Sequence, residues 1–416
     1  QWFNRHETWA HEAKAWIDYL GRSTYMLQQG KFVADIAYFY GEDKNITSRF
    51  GDERVKVPEG YSFDFVNASI LQNMLKIKNN NLTTASGMSY KVLVLDEQIR
   101  FMSLPVLKRI AQMAKSGVII IGNKPQACAN LNADQKQFDK LVNEVWNSGK
   151  ANVYPFSAMA EALGKAGVAP DVKYLSQNTG EVHFVHRQLA DGHIYWFANI
   201  SPEARKVKVS CRVSGKKPYV LHPETGRKEE IAYEMLDGRT IITLDLTADD
   251  AQFVIFDENT TTAKHELPAT ELVERMSISS PWTVNFQENR GASAQAVFQR
   301  LKSLSESNVG SVRYFSGTAR YSCTFHWSSA APKDALYLDL GEVYNMARVK
   351  LNGTDLGLVW KRPFVVPVGN AIRDGENELE IEVTDTWQNR LIGDAQPNVN
   401  DPITYTAVKF YNAADT

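Results

Sequence analysis

The chain has 416 residues, 44% hydrophobic and 23% charged, and its 46 basic and 48 acidic side chains leave a net charge of −2. That length exceeds what one hydrophobic core usually serves, so three or four domains are expected. The balanced charge, without a long basic run, argues against a nucleic-acid binder. The composition argues against disorder, and apolar runs no longer than that of Gly117 to Gly122 are far short of the roughly 20 residues of a membrane-spanning helix.

In chain order, Thr8 to Gln29 reads as a helix with Ala13, Trp16, Ile17, Leu20 and Leu27 at three- and four-residue steps, closed by Gly30. Its apolar face has no partner nearby in the sequence and requires one. Phe32 to Tyr40 reads as a buried strand, Asp64 to Leu75 as a helix and Lys91 to Leu95 as a second strand. Ser103 as N-cap and Pro105 in the first turn open a helix that Gly117 ends, and Val118 to Ile121 follows as a strand. A further helix runs from about Ala133 to Trp146. Strands alternating with helices predict a doubly wound parallel sheet. From about residue 174 the period becomes that of strands, with a hairpin at Asp191-Gly192 and a turn over Pro223 to Gly226. Asn259 to Leu272 reads as a linker, and a second all-β domain follows, with a hairpin turn at Asn352-Gly353.

Several chemistries lack their signatures. There is no G-x-S-x-G elbow, no phosphate-binding G-x-x-x-x-G-K-[ST] loop and no G-x-G-x-x-G after the first strand of the α/β region, which instead enters the acidic turn Tyr40-Gly41-Glu42-Asp43. Cys128, Cys211 and Cys323 have no metal-ligand spacing and are expected as buried free thiols; no metal site is expected. Two clusters remain. Asn4, Arg5, Glu7, Thr8 and Trp9 place an amide, a guanidinium, a carboxyl, a hydroxyl and an indole together just before the first helix. Such groups suit a pocket that hydrogen-bonds hydroxyls and stacks a ring, and they equally suit a capped helix over a core Trp. Trp360, Arg362, Trp387, Asn389 and Arg390 in the last domain have the same two readings: glycan binding, or a clamp on a neighbouring domain.

Longer blocks narrow the choice. Phe3-Asn4-Arg5, Thr8-Trp9, Trp16-Ile17-Asp18-Tyr19-Leu20, Leu27-Gln28-Gln29-Gly30, Val33-Ala34-Asp35-Ile36, and Gly87-Met88-Ser89-Tyr90 before the second strand resemble glycoside hydrolase family 106, the α-L-rhamnosidases. So do Tyr314 to Tyr321, Trp360-Lys361-Arg362-Pro363-Phe364 and Thr384 to Asp394, although family 2 β-galactosidases and β-glucuronidases share a similar terminal pattern. The resemblance implies a multidomain α/β plus all-β chain. Residues 1–30 would close a (β/α)8 catalytic barrel, and residues 31–172 would form an amidotransferase-like α/β domain. A β-sandwich would cover 173–258, a linker 259–274, and a galactose-binding-like jelly roll with a C-terminal tail 275–416.

The resemblance further implies inverting hydrolysis of α-L-rhamnosidic bonds in a polysaccharide. The acid and base are expected upstream of Gln1, on a missing N-terminal barrel that would be a partner of this chain. Asn4, Arg5, Glu7, Thr8 and Trp9 are then expected to bind substrate. No cofactor is evident, with calcium a candidate only for the full-length active site, and a bacterial protein in the periplasm or outside the cell is expected. The alternatives are a non-catalytic carbohydrate-binding or scaffolding assembly, and a glycosidase of β-galactosidase-like or β-glucuronidase-like specificity.

Overall fold

A computed structural model describes residues 4–43, 45–46, 55–130, 134–177, 180–268, 272–328, 335–397 and 399–405. Phe3, at the head of the first block, Ala133, the expected start of a helix, and the tail beyond Tyr405 lie outside the described residues. Contacts divide the chain into two compact units, Arg22–Pro268 and Gln1–Gly21 with Ala269–Thr416.

In the Arg22–Pro268 unit, five parallel strands form one sheet: β1 (Ile36–Phe39), β2 (Phe63–Val66), β3 (Val92–Leu95), β4 (Ile119–Ile121) and β5 (Val153–Tyr154), in the order β5-β4-β3-β1-β2. All four side chains of β1 are buried, as are all four of β3, because both faces of the sheet are covered. Ala37, Phe39, Leu93, Leu95 and Ile120 pack on one face against Val106, Leu107 and Ile110 of α2 (Leu104–Lys115) and Phe138 of α3 (Gln135–Val142). Ile36, Tyr38, Val92, Val94 and Ile121 pack on the other against Met159, Ala162 and Leu163 of α4 (Met159–Lys165). The doubly wound arrangement follows from this two-sided burial.

Three local expectations change. Phe32 to Tyr40 is not one strand: Lys31–Phe32 pairs with the following sandwich and β1 begins only at Ile36. Asp64 to Leu75 is not one helix. Phe63 and Phe65 extend β2 against Tyr38, with ring centroids 5.6 and 6.0 Å away, and only residues 68–74 are helical. Local apolar spacing there suited both periods, and aromatic packing across the sheet selected the strand. Ser103 does precede α2, but its side chain makes no cap; Asn130 Oδ1 accepts from the Leu104 N–H at 2.9 Å instead.

The same unit continues into a sandwich of two antiparallel sheets. The strands are β6 (Val172–Tyr174), β7 (Val182–Leu189), β8 (Gly192–Asn199), β9 (Arg205–Cys211), β10 (Lys216–His222), β11 (Arg227–Glu230), β12 (Tyr233–Leu236), β13 (Arg239–Leu246), β14 (Ala251–Asn259) and β15 (Lys264–His265). One sheet runs from the strand Lys31–Phe32 through β7-β8-β14-β10-β11, the other β6-β9-β13-β12-β15. Tyr195, Phe197, Val207, Val209, Leu244, Val254 and Phe256 fill the space between them. The stretch expected as a linker is partly structural: β14 extends to Asn259, and β15 pairs His265 with Tyr233.

In the second unit, β16 (Trp282–Phe286), β17 (Gln295–Phe298), β18 (Thr318–Trp327), β20 (Met346–Leu351), β21 (Thr354–Val359) and β23 (Gly375–Thr384) form an antiparallel sheet ordered β17-β16-β18-β23-β20-β21. β19 (Tyr337–Asp339) and β22 (Val365–Pro367) make a separate pair, and α5 (Gln388–Asp394) follows β23. Trp282, Val284, Phe315, Ala347, Val349, Val366 and Leu379 form the core. Asn352 and Gly353, at φ +51° and +80°, turn the chain between β20 and β21 as expected of this dipeptide. No helix among the described residues is long and apolar enough to cross a membrane.

Gly60 joins the parallel sheet's periphery to the sandwich: its carbonyl accepts from the Asp171 N–H at 2.8 Å. At φ +82°, a Cβ there would lie 2.0 Å from the Val172 carbonyl oxygen. Gly60→Ala is therefore expected to cost this unit about 2–3 kcal/mol, and an unchanged urea midpoint would refute that.

Candidate functional site

Residues 4–12 form a run of turns ending in a short 3-10 turn, Ala10–Glu12, which leads into α1 (Ala13–Gln28). The His6 N–H donates to Asn4 Oδ1 at 2.8 Å, and the Glu7, Ala10 and Glu12 N–H groups donate to the carbonyls of Asn4, Glu7 and Trp9. The terminal sandwich holds the segment from outside. Thr8 is buried and its hydroxyl donates to the Asp385 carbonyl. The Trp387 indole N–H donates to the His6 carbonyl at 2.7 Å. Arg348 on β20 grips Glu12 in a two-point ion pair, Nε to Oε1 at 3.0 Å and Nη2 to Oε2 at 2.6 Å. A cleft of about 90 Å³, lined in part by His11, Glu12, Thr318, Arg348 and Glu382, lies where the segment meets the sheet.

The five residues expected to bind substrate thus divide. Thr8 is spent on holding the backbone. Asn4 and Arg5 are exposed, Glu7 and Trp9 are half-buried, and Trp9 meets Trp16 edge-on at 6.5 Å. Burial pushes the Glu7 carboxyl above its usual range.

The residues of the second expected cluster each contact protein. Trp360 packs edge-on against Tyr19 at 5.2 Å, and Arg362 pairs with Glu342 at 2.8 Å. Trp387 carries the Arg290 guanidinium 4.2 Å over its ring as well as its bond to His6. Arg390 is buried, ion-paired to Asp394 at 2.9 Å, and its N–H donates to Ser316 Oγ at 3.0 Å. Asn389, in the same turn of α5, is half-buried.

Two features escaped the sequence reading. Asp385 sits beside Trp387, with its Oδ1 accepting from the Gly317 N–H at 2.7 Å and its own N–H donating to the Gly317 carbonyl. Burial raises its carboxyl to about 7, against the pull of the Gly317 N–H and of Arg290. The other feature is a buried polar network in the Arg22–Pro268 unit. Asp171 Oδ2 lies 2.7 Å from His186 Nδ1, and its Oδ1 accepts from the Tyr195 hydroxyl at 2.8 Å. His186 Nε2 lies 2.9 Å from His193 Nδ1, and Arg212 bridges to Asp35 at 2.7 Å. Burial alone would raise Asp171, but His186, Arg212 and the Tyr195 hydroxyl outweigh it and hold the carboxyl below its usual value. Burial and the neighbouring His186 lower His193 to about 4. The bonded pairs lie 7 to 177 positions apart, and no single local spacing announces the network.

At the ends of β1 and β3, where doubly wound sheets usually bind ligands, the polar groups are tied to the protein. The Tyr38 hydroxyl donates to Asp96 Oδ2 at 2.8 Å and the Ser103 N–H to Glu42 Oε2 at 2.7 Å. Cys211 and Cys323 are buried free thiols, whereas Cys128 is only half-buried, with its Sγ 3.7 Å from Asn130 Oδ1. Among the described residues no three His, Cys, Asp or Glu side chains are grouped to hold a metal ion.

The two units should answer pH in opposite senses. The raised Asp385 binds its proton in the folded state up to about pH 7, so its contribution is full below about pH 4 and is lost as pH rises to 7. Asp385→Asn should remove a decline of at most about 1.4 kcal/mol per pH unit; an identical melting profile in wild type and variant would contradict this. The depressed His193 stays neutral when folded down to about pH 4. Its contribution is full above about 6.5 and is lost as pH falls to 4. His193→Gln should flatten that acid limb, as followed by hydrogen exchange in β7 and β8.

Against known proteins, the sequence pattern of the family 106 α-L-rhamnosidases matches residues 1–235, more than half of the chain. A galactose-binding-like domain pattern of glycosyl hydrolase family 2 matches residues 302–410. The solved rhamnosidase of Novosphingobium sp. PP1Y superposes on 100% of the chain with a TM-score of 0.90 and 36% identity, the chain spanning 41% of that protein. A Formosa agariphila protein named "Putative beta-glucuronidase" is 32% identical over 275 residues, 65% of this chain and 23% of its own length. The chain thus spans less than half of either relative. It belongs to glycoside hydrolase family 106, the α-L-rhamnosidases.

Proposed function

We propose that the protein of which these residues form part hydrolyses α-L-rhamnosidic bonds of a polysaccharide with inversion, in the periplasm or outside a bacterial cell. The observation that carries this reading is the likeness to a solved rhamnosidase along the whole chain, at 36% identity. Inversion requires an acid and a base carboxyl about 6.5–9.5 Å apart, with water between the base and the sugar. This reading takes both from a (β/α)8 barrel in the remainder of the protein. The support is that the chain spans 41% of the rhamnosidase and that α1 buries none of its side chains, with Ile17 and Tyr25 51% and 65% exposed. In this reading those apolar groups face the barrel.

In this reading Asn4, Arg5, Glu7 and Trp9 form one wall of the pocket. Arg5 donates to sugar hydroxyls and the Trp9 face takes the apolar side of the ring. The half-buried Glu7 carboxyl exchanges hydrogen bonds with a hydroxyl. Each acts by binding and orienting the sugar, and none supplies the proton or activates the water. The terminal sandwich serves the wall and not the glycan, because its own aromatic and arginine groups are already engaged by protein.

The likeness to a protein named for β-glucuronides gives a second reading, in which the sugar is a uronide. The full-length enzyme is expected to release aryl alcohol from an aryl α-L-rhamnoside and not from an aryl β-D-glucuronide, while residues 1–416 alone release neither. Turnover of the glucuronide alone would replace the first reading by the second. Robust turnover of the rhamnoside by residues 1–416 would show that the carboxylate pair lies within them.

A further inference from the structure

The wall segment is fixed at three places by two parts of the terminal sandwich, the loop before α5 and β20. The loop before α5 holds the His6 carbonyl through Trp387 and the Thr8 hydroxyl through the Asp385 carbonyl, and β20 holds Glu12 through Arg348. These anchors fall at residues 6, 8 and 12. Asn4 and Arg5 are left exposed and Glu7 and Trp9 half-buried.

The arm carrying two of the anchors is itself braced. Asp385 and Gly317 exchange two backbone-level bonds, and a Cβ at Gly317 would lie 2.6 Å from Gln287 Oε1. Arg290 covers the Trp387 ring, and Asp394 takes both the Arg390 ion pair and the Thr404 N–H and hydroxyl at 2.7 Å. Arg348 is likewise fixed from its far side by Asp355 at 2.9 Å.

We infer that Trp387 and Arg348 are positioning residues for the substrate pocket: the terminal sandwich acts on the reaction by setting the geometry of residues 4–9. The inference rests on the reading of that segment as a pocket wall. Orientation is where such a scaffold has leverage, since displacing a binding group by about 1 Å can cost a hundredfold in rate.

The test uses the full-length enzyme with an aryl α-L-rhamnoside. Trp387→Phe keeps the ring under Arg290 and removes the N–H. It should raise KM about fivefold to tenfold with kcat within about twofold, because the anchored groups bind sugar and do not transfer protons. Amide exchange over residues 4–12 should quicken by a similar factor while β18 and β23 keep their protection. Glu12→Gln and Arg348→Gln should each raise KM, and the double variant should be no worse than the weaker single, as two halves of one contact require.

Arg5→Ala separates the two levels of the argument. If it leaves KM unchanged, the segment is not a pocket wall and the underlying reading fails. If it raises KM while Trp387→Phe does not, the positioning role alone is overturned, whether or not exchange quickens. Additive Glu12 and Arg348 effects overturn the part assigned to that pair.

Discussion

A peptide of nine residues does not hold a shape in water by itself, because ordering each residue costs about 1–2 kcal/mol. Residues 4–12 are nevertheless given a definite course by contacts made from outside. The Trp387 N–H and the Asp385 carbonyl fix one stretch, and the Arg348 guanidinium fixes the other. The Arg–carboxylate fork matters most for direction. Two parallel bonds define an orientation, which a single ammonium–carboxylate contact does not.

That dependence explains why the terminal sheet carries so ordered a row of charge on the strands beneath the segment. Arg320, Glu382 and Arg348 stand in register across β18, β23 and β20, and Glu380 faces Lys350 one pair further along. Alternate residues of the same strands, such as Ala319, Val349 and Ile381, face the core. The period of two separates a face that builds the domain from a face that receives the N-terminal segment. Three of the aromatic and arginine residues of the terminal sandwich contact protein: Trp360 meets Tyr19, Trp387 meets Arg290 and His6, and Arg390 meets Asp394.

The Arg22–Pro268 unit solves a different problem, the joining of a parallel sheet to a sandwich. Asp171 accepts from Tyr195 and pairs with His186, and Arg212 reaches both it, at 3.6 Å, and Asp35 beside β1. Arg239 adds bonds to the Pro170 and Asp171 carbonyls at 2.9 and 3.0 Å. Charges buried without partners would cost several kcal/mol each, so these groups depend on one another across the join.

The sequence alone determined what short-range pattern controls. Runs such as Val92 to Leu95 and Ile119 to Ile121 are apolar on both faces, which only a covered parallel strand requires, and Asn352-Gly353 demands a tight hairpin. The grouping of Asn4 to Trp9 was visible as an unusual density of polar and aromatic groups, and its resemblance to the rhamnosidases gave it a chemical meaning. The tertiary structure decided the rest. Phe63 and Phe65 became strand because Tyr38 lies beside them, and His265 joined the sandwich because Tyr233 offered it an edge. Thr8 was taken from the sugar-binding set and given to Asp385, and Glu12 found Arg348 across 336 residues. Contacts between residues that far apart are fixed by the folding of everything between them, and no local spacing encodes them.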